Sequence, residues 1–353
     1  MVISNLTHFL EPLPNPTPKQ SFKAFQEEYF TTLAVLSYVW PAIILFGLVA
    51  NVTNIIVFLK TGANDNVTVL LISLAMSDLT FLTLISPTMC GFVVEALVRP
   101  RPWPFDNRIL FFLLYWPAFT VSDISTFISV SLGVMRCACV AMPLKFKLVF
   151  TRPRTIKWLF VLLVLAVLLR VPVLTIHRIG WRKNPITNIT MPYLAAVNKA
   201  SMSKFLDILN RGVVIFIAYI TMVACVVILT SKLYQAAKLR QICTVKGDQP
   251  IDKTSGKPAI QGLSSRDMQV VKSVILVCTV FIIAQLPQVI ISASRLVNGQ
   301  VSEQQQFHYL FAIIHQINIT CCYLNASVNI FVYYNYKSRY RSMFQSLLLL
   351  KHR

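Results

Sequence analysis

The chain has 353 residues, with 33 Lys and Arg against 13 Asp and Glu, for a net charge of +20, yet only 13% of it is charged and 56% is hydrophobic. Soluble domains are roughly 25% charged, so this composition and a mean hydropathy of +0.63 exclude disorder and argue against an ordinary water-soluble domain. A basic excess in one block would signal nucleic-acid binding, whereas short basic clusters between apolar runs mark topology at a membrane surface.

Taken in chain order, Met1–Gln20 holds four prolines and no long apolar core, so no signal peptide is expected. From Glu28 to Lys60 there are 31 residues without charge, and from Asp65 to Glu95 only Asp78 interrupts. Only Asp123 lies between Arg108 and Arg136, and only Arg170 between Lys157 and Ile176. The intervals Arg211 to Lys232, Lys272 to Arg295 and Glu303 to Lys337 hold 20, 22 and 33 uncharged residues. Crossing the hydrocarbon core takes about 20 helical residues, which makes seven predicted spans. Continuous apolar runs fit helices that satisfy their own backbone in lipid and do not fit the alternation of a β-barrel. Arg170 is expected to snorkel near the outer end of the fourth span.

The tail and the first, third and fifth connectors carry 20 of the 33 basic residues. By the positive-inside rule they are cytoplasmic and the N-terminus is outside. The expected division is an extracellular N-terminus over 1–32, a seven-transmembrane bundle over 33–336 and a short cytoplasmic helix and tail over 337–353. The sequons at Asn5 and Asn188 then lie outside, where they can be glycosylated. All eight cysteines fall in spans or on the cytoplasmic side, where packing is their expected role.

Local motifs sharpen this outline. Ala50-Asn51 lies in the first span and Leu74-Ala75-Met76-Ser77-Asp78 in the second. Met135-Arg136-Cys137, followed by Met142-Pro143-Leu144-Lys145-Phe146, closes the third, and Trp158 lies in the fourth. Phe281-Ile282-Ile283-Ala284-Gln285-Leu286-Pro287 lies in the sixth, and Leu324 to Tyr333 (LNASVNIFVY) in the seventh. In order and spacing these resemble the Gly-Asn, LAxxD, DRY-to-PLKF, Trp, FxxCWxP and LNxxxNPxxY signatures of rhodopsin-like (class A) G protein-coupled receptors. Divergent invertebrate peptide-type or chemosensory-type branches are the nearest in wording. Tyr340 is placed like the aromatic of their short eighth helix. The resemblance implies an all-α membrane protein at the plasma membrane, with no enzymatic activity. It would bind an extracellular peptide or small-molecule ligand, a neuropeptide or a chemosensory cue, and activate a heterotrimeric G protein.

The buried polar residues are where such a switch would operate. An ionisable group in mid-membrane faces the bundle interior, and Ser125 shares a helix face with Arg136 because eleven residues make nearly three turns. Asn318, Cys322, Asn325, Asn329 and Tyr333 are spaced to line one face of the seventh span. Asp78, Ser125, Asn325 and Asn329 are therefore expected to converge. The resemblance implies a sodium ion at Asp78 and Ser125, with Tyr333 in the same switch; hydrogen bonding between helices is the alternative. It also implies G-protein engagement by Arg136, Pro143 and Leu144. Met135 replaces the usual acid, which implies raised ligand-free activity or different gating. The family's link between the third span and the second outer loop is missing, because neither stretch has a cysteine. By position Ser122, Gln285, Gln288 and Tyr323 are the candidate ligand contacts. Asp123 is expected to hydrogen-bond between helices in its protonated form. A transporter or channel is the rival reading, but no internal repeat is visible. No paired catalytic set or metal cluster supports an enzyme.

Overall fold

A computed structural model of the chain describes residues 20–62, 65–97, 107–142, 146, 148–183, 189–196, 207–245, 265–297, 301, 307–336 and 338–350. Helices dominate: α1 (Gln20–Thr61), α2 (Asn66–Leu97), α3 (Asn107–Ala141), α4 (Arg152–Arg170), α5 (Ile215–Val245), α6 (Ser265–Val297), α7 (His308–Ser327), α8 (Asn329–Tyr336) and α9 (Ser338–Leu350). The first six contain segments long and apolar enough to cross a membrane. The seventh span is α7 continued by α8. It is interrupted at Val328, where Phe331 N–H reaches back only three residues to the Val328 carbonyl at 3.1 Å, a locally overwound turn. Helix α1 begins ahead of residue 33, where the span was expected to start.

On α4 only Thr155, Leu162 and Ala166 are buried, while Phe160, Leu165 and Leu168 stand exposed. A soluble fold does not leave such a face open. Here the hydrocarbon of the bilayer covers it. The structure is thus the seven-helix bundle the apolar runs predict, with α9 as the eighth helix.

Three apolar clusters hold the bundle. One joins Trp40 and Ile44 of α1, Phe81 and Ile85 of α2, Tyr115 of α3 and Tyr323 of α7. A second, at the end where α9 packs, joins Phe58, Leu70, Leu74, Leu132, Met135, Tyr333 and Tyr340. The third fills the space between α3, α5 and α6 with Cys137, Met222, Cys225, Cys278 and Phe281. Cys137 Sγ donates to the Cys225 carbonyl at 3.3 Å, and the packing role expected of the cysteines accounts for these three. Helix α1 approaches α7 at Gly47, where a Cβ would collide with the Ser327 hydroxyl and stand 2.6 Å from Leu82 Cδ1. Nearby, Asn51 Nδ2 donates to the Gly47 carbonyl (2.9 Å) and the Ala326 carbonyl (2.7 Å). It thereby satisfies a backbone acceptor just ahead of the break at Val328.

Between α4 and α5 lies a two-stranded antiparallel hairpin, β1 (His177–Lys183) paired with β2 (Thr190–Ala196), with Gly180 opposite Tyr193. No motif in the sequence announced it. Val173 and Ile176, on the turn leading into β1, pack on Phe112 and Trp116 of α3, and the His177 and Phe112 rings are 5.0 Å apart. This apolar contact fastens the loop to α3 where the resemblance would have a disulfide.

Candidate functional site

Toward the hairpin end, α3, α4, α5, α6 and α7 enclose a cavity of about 50 Å³. Ser122, Gln285 and Gln288, three of the four residues expected to contact a ligand, line it together with Asp123, Arg170, His315 and Asn318. The fourth, Tyr323, does not. Asn318 and Cys322, four residues apart, present one face of α7 to the cavity. Tyr323 is about 100° further round the helix and is fully buried against Trp40 and Phe81, with ring centroids 6.0 and 5.9 Å away.

The cavity contains a charge pair in which Arg170 differs from expectation. Arg170 does not snorkel outward; its Nε donates to Asp123 Oδ2 at 2.6 Å, with the side chains 14% and 20% exposed. Asp123 thus makes the expected hydrogen bond between helices, with the Arg170 guanidinium as its partner. Turning inward gives the arginine a counter-charge and the Trp116 ring, 6.0 Å from its guanidinium carbon, which outweighs reaching for the interface in this low-dielectric setting. The signal was available as two isolated charges in adjacent spans, but their depths could not be matched without the helix packing. Across the cavity Asn318 Nδ2 donates to Gln288 Oε1 at 2.9 Å. The Asn318 Oδ1 acceptor is buried and has no donor among the described residues.

Below this cavity Asp78, 1% exposed, accepts from Ser125 Oγ at 2.5 Å and from Asn329 Nδ2 at 3.0 Å. The structure therefore brings α2, α3 and α8 together at one carboxylate. Asn325 is half-buried and makes no hydrogen bond to Asp78. The overwound turn at Val328 rotates Asn329 away from the face that an unbroken helix would share with Asn325. Among the described residues no basic side chain pairs with Asp78. The buried carboxylate and the Ser125 hydroxyl are hard oxygen donors of a kind that suits a small cation. The residues present thus fit the sodium ion that the resemblance implies.

At the opposite end, Tyr333 packs against Phe58 (5.1 Å) and Tyr340 (5.8 Å), and Tyr340 Oη donates to Asn54 Oδ1 at 2.6 Å. Burial pushes the Tyr340 phenol up from its ordinary value, so it remains a donor at neutral pH. Arg136 is half-buried with an Nε that has no hydrogen-bond partner among the described residues. Its neighbour Met135 is turned into the apolar cluster at 2% exposure. An acid at position 135 would be buried among aliphatic side chains, so the restraint on Arg136 has to come from elsewhere. Asp65 is close enough to act on the guanidinium electrostatically, while it also caps α2 by accepting from Thr68 N (3.1 Å) and Thr68 Oγ1 (2.5 Å). Sequence reading missed Asp65 because it is a neighbour in space and not in the motif. Pro143, Leu144, Asn5 and Asn188 lie outside the described residues.

No curated protein matches the chain closely. Residues 50–333, most of the length, from the later part of α1 to Tyr333 in α8, match the family described as 7 transmembrane receptor (rhodopsin family). With its seven-helix bundle, its polar centre at Asp78 and its arginine at the α9 end, the chain belongs to the rhodopsin family of seven-transmembrane receptors.

Proposed function

We propose that this receptor binds an extracellular ligand in the cavity lined by Asp123 and Arg170 and activates a heterotrimeric G protein at the Arg136 end. The observation that carries the reading is the stacking of three polar sites along the bundle: the cavity, the Asp78 centre beneath it and Arg136 beyond. They occupy helices whose relative positions a two-state bundle would change together. A ligand in the cavity touches α3, α4, α6 and α7, so any difference in its contacts between the two arrangements biases the equilibrium by that difference. Asp78 draws together α2, α3 and the seventh span; the Asp78 carboxylate and Ser125 hydroxyl would hold sodium. Bound there, the ion would supply compensating charge to a carboxylate that has no basic partner among the described residues. Helix α6 carries Pro287, which removes a backbone hydrogen bond and provides the point about which its far half can swing.

The charge asymmetry of the connectors supports a plasma-membrane orientation with the hairpin outside and α9 in the cytoplasm. In that orientation the sequons at Asn5 and Asn188 would be open to glycosylation. A neuropeptide or a chemosensory cue is the ligand class that the motif wording favours. The test is nucleotide exchange on purified heterotrimeric G proteins by the receptor in lipid nanodiscs, challenged with peptide and small-molecule libraries. Ligand-dependent exchange lost in Arg136→Ala is the expected outcome. Solute or ion flux in sealed vesicles without any exchange would replace this reading with a transporter.

A further inference from the structure

We infer that the cavity recognises a small zwitterion, a ligand carrying an ammonium and a carboxylate on the same carbon, as in a free α-amino acid. The inference rests on reading the cavity as the receptor's ligand site. At about 50 Å³ the space is far below the roughly 300–1,000 Å³ of sites for drug-sized ligands. It accommodates one compact polar head.

The chemistry of the lining specifies both charges of that head. Arg170 uses Nε for Asp123 Oδ2. Its remaining guanidinium nitrogens and Asp123 Oδ1 make no hydrogen bond to the described residues, so the pair presents donors on one side and an acceptor on the other. The guanidinium fork suits a planar carboxylate. The buried, unpartnered Asn318 Oδ1 lacks a donor and the Asp123 carboxylate is an acceptor, while an ammonium brings three donors.

Net charge decides between a zwitterion and its one-charged relatives. The Asp123–Arg170 pair is neutral as a unit and part-buried. A lone amine or a lone carboxylate would add an uncompensated charge to a low-dielectric cavity or would have to pull the pair apart, and either is costly. A zwitterion adds no net charge and meets each member of the pair with its complement. On β1 the exposed Arg178, Arg182 and Lys183 draw carboxylate-bearing solutes toward that end of the bundle.

The test uses the full-length receptor in lipid nanodiscs, melted in the presence of the standard α-amino acids, their carboxamides, their N-acetyl derivatives and the corresponding decarboxylated amines. A ligand that binds only the folded state raises Tm according to its concentration relative to Kd. At least one amino acid is expected to raise Tm, and its three one-charged relatives are expected to bind at least about 30-fold more weakly. The Asp123→Asn/Arg170→Gln double variant keeps the side-chain shapes without the charges. It should fold, as judged by its unliganded melting, and lose affinity by a similar factor. Arg170→Lys, which keeps the charge without the fork, should lose less. Absence of any shift across the amino acids, equal binding of a one-charged relative, or full affinity in the folded double variant each overturns the inference. Exchange on G protein is followed in parallel. Amino-acid binding without exchange would retain the zwitterion site and sink the receptor reading, whereas exchange evoked only by peptides or amines would do the reverse.

Discussion

Two carboxylates deep in the same bundle are stabilised in different ways, and their responses to substitution should differ accordingly. Asp123 is paired, so Arg170→Gln strands a charge with little solvent access and should lower stability by on the order of 3 kcal/mol. Adding Asp123→Asn should recover most of that loss, a coupling readable from the melting temperatures of the two single variants and the double. Among the described residues Asp78 has only hydrogen-bond donors around it, Ser125 and Asn329. If its compensation comes from sodium, replacing sodium by a bulky organic cation should lower the wild-type Tm and leave Asp78→Asn unmoved; equal shifts in both would dismiss the ion. The Ser125 and Asn329 partners were legible from sequence, because polar groups at helical spacing within apolar runs have few other places to go. Asp123 with Arg170 was not, since pairing across helices depends on relative depth, which no single span encodes. Tyr323 was misplaced for a related reason: one residue along a helix is a 100° turn, enough to move a side chain from the cavity into the core.

Among the elements, the unbroken apolar runs fixed the helices, but their contacts turn on details that hydropathy does not carry. Gly47 lets α1 approach α7 as closely as it does. Gly47→Ala is expected to destabilise by about 1–3 kcal/mol, the usual cost of overpacking, seen as a lower Tm with the helical circular dichroism retained. The overwound turn at Val328 arises without the proline that the resemblance places at Ile330, and Asn51 takes up the Ala326 carbonyl beside it. From sequence the seventh span reads as one continuous face, which is why Asn325 was grouped with Asn329. The hairpin was illegible because β1 carries three basic residues, a glycine and no clean alternation, whereas its pairing is decided by β2 and by the anchoring turn on α3.

For the molecule as a whole, the low charged fraction and long apolar runs belong to a multi-pass membrane protein, as the family match has it. What remains particular to this receptor is how its Arg136 end is restrained. Met135 belongs to the core, and among the described residues Asp65, which also caps α2, is a carboxylate whose charge acts on Arg136. Asn is nearly as good an N-cap as Asp, so Asp65→Asn removes the charge and keeps the cap. Ligand-free nucleotide exchange is expected to rise several-fold in that variant with Tm little changed; an unchanged basal rate would assign Asp65 to capping alone. The other end closes differently. Where the resemblance would have a covalent crosslink, Val173 and Ile176 sit on Phe112 and Trp116, and neither stretch contains a cysteine. The ligand-facing architecture should therefore be indifferent to redox conditions. Adding dithiothreitol ought to leave both melting and ligand response where they were, so the receptor would keep working in reducing surroundings that disable a disulfide-dependent one.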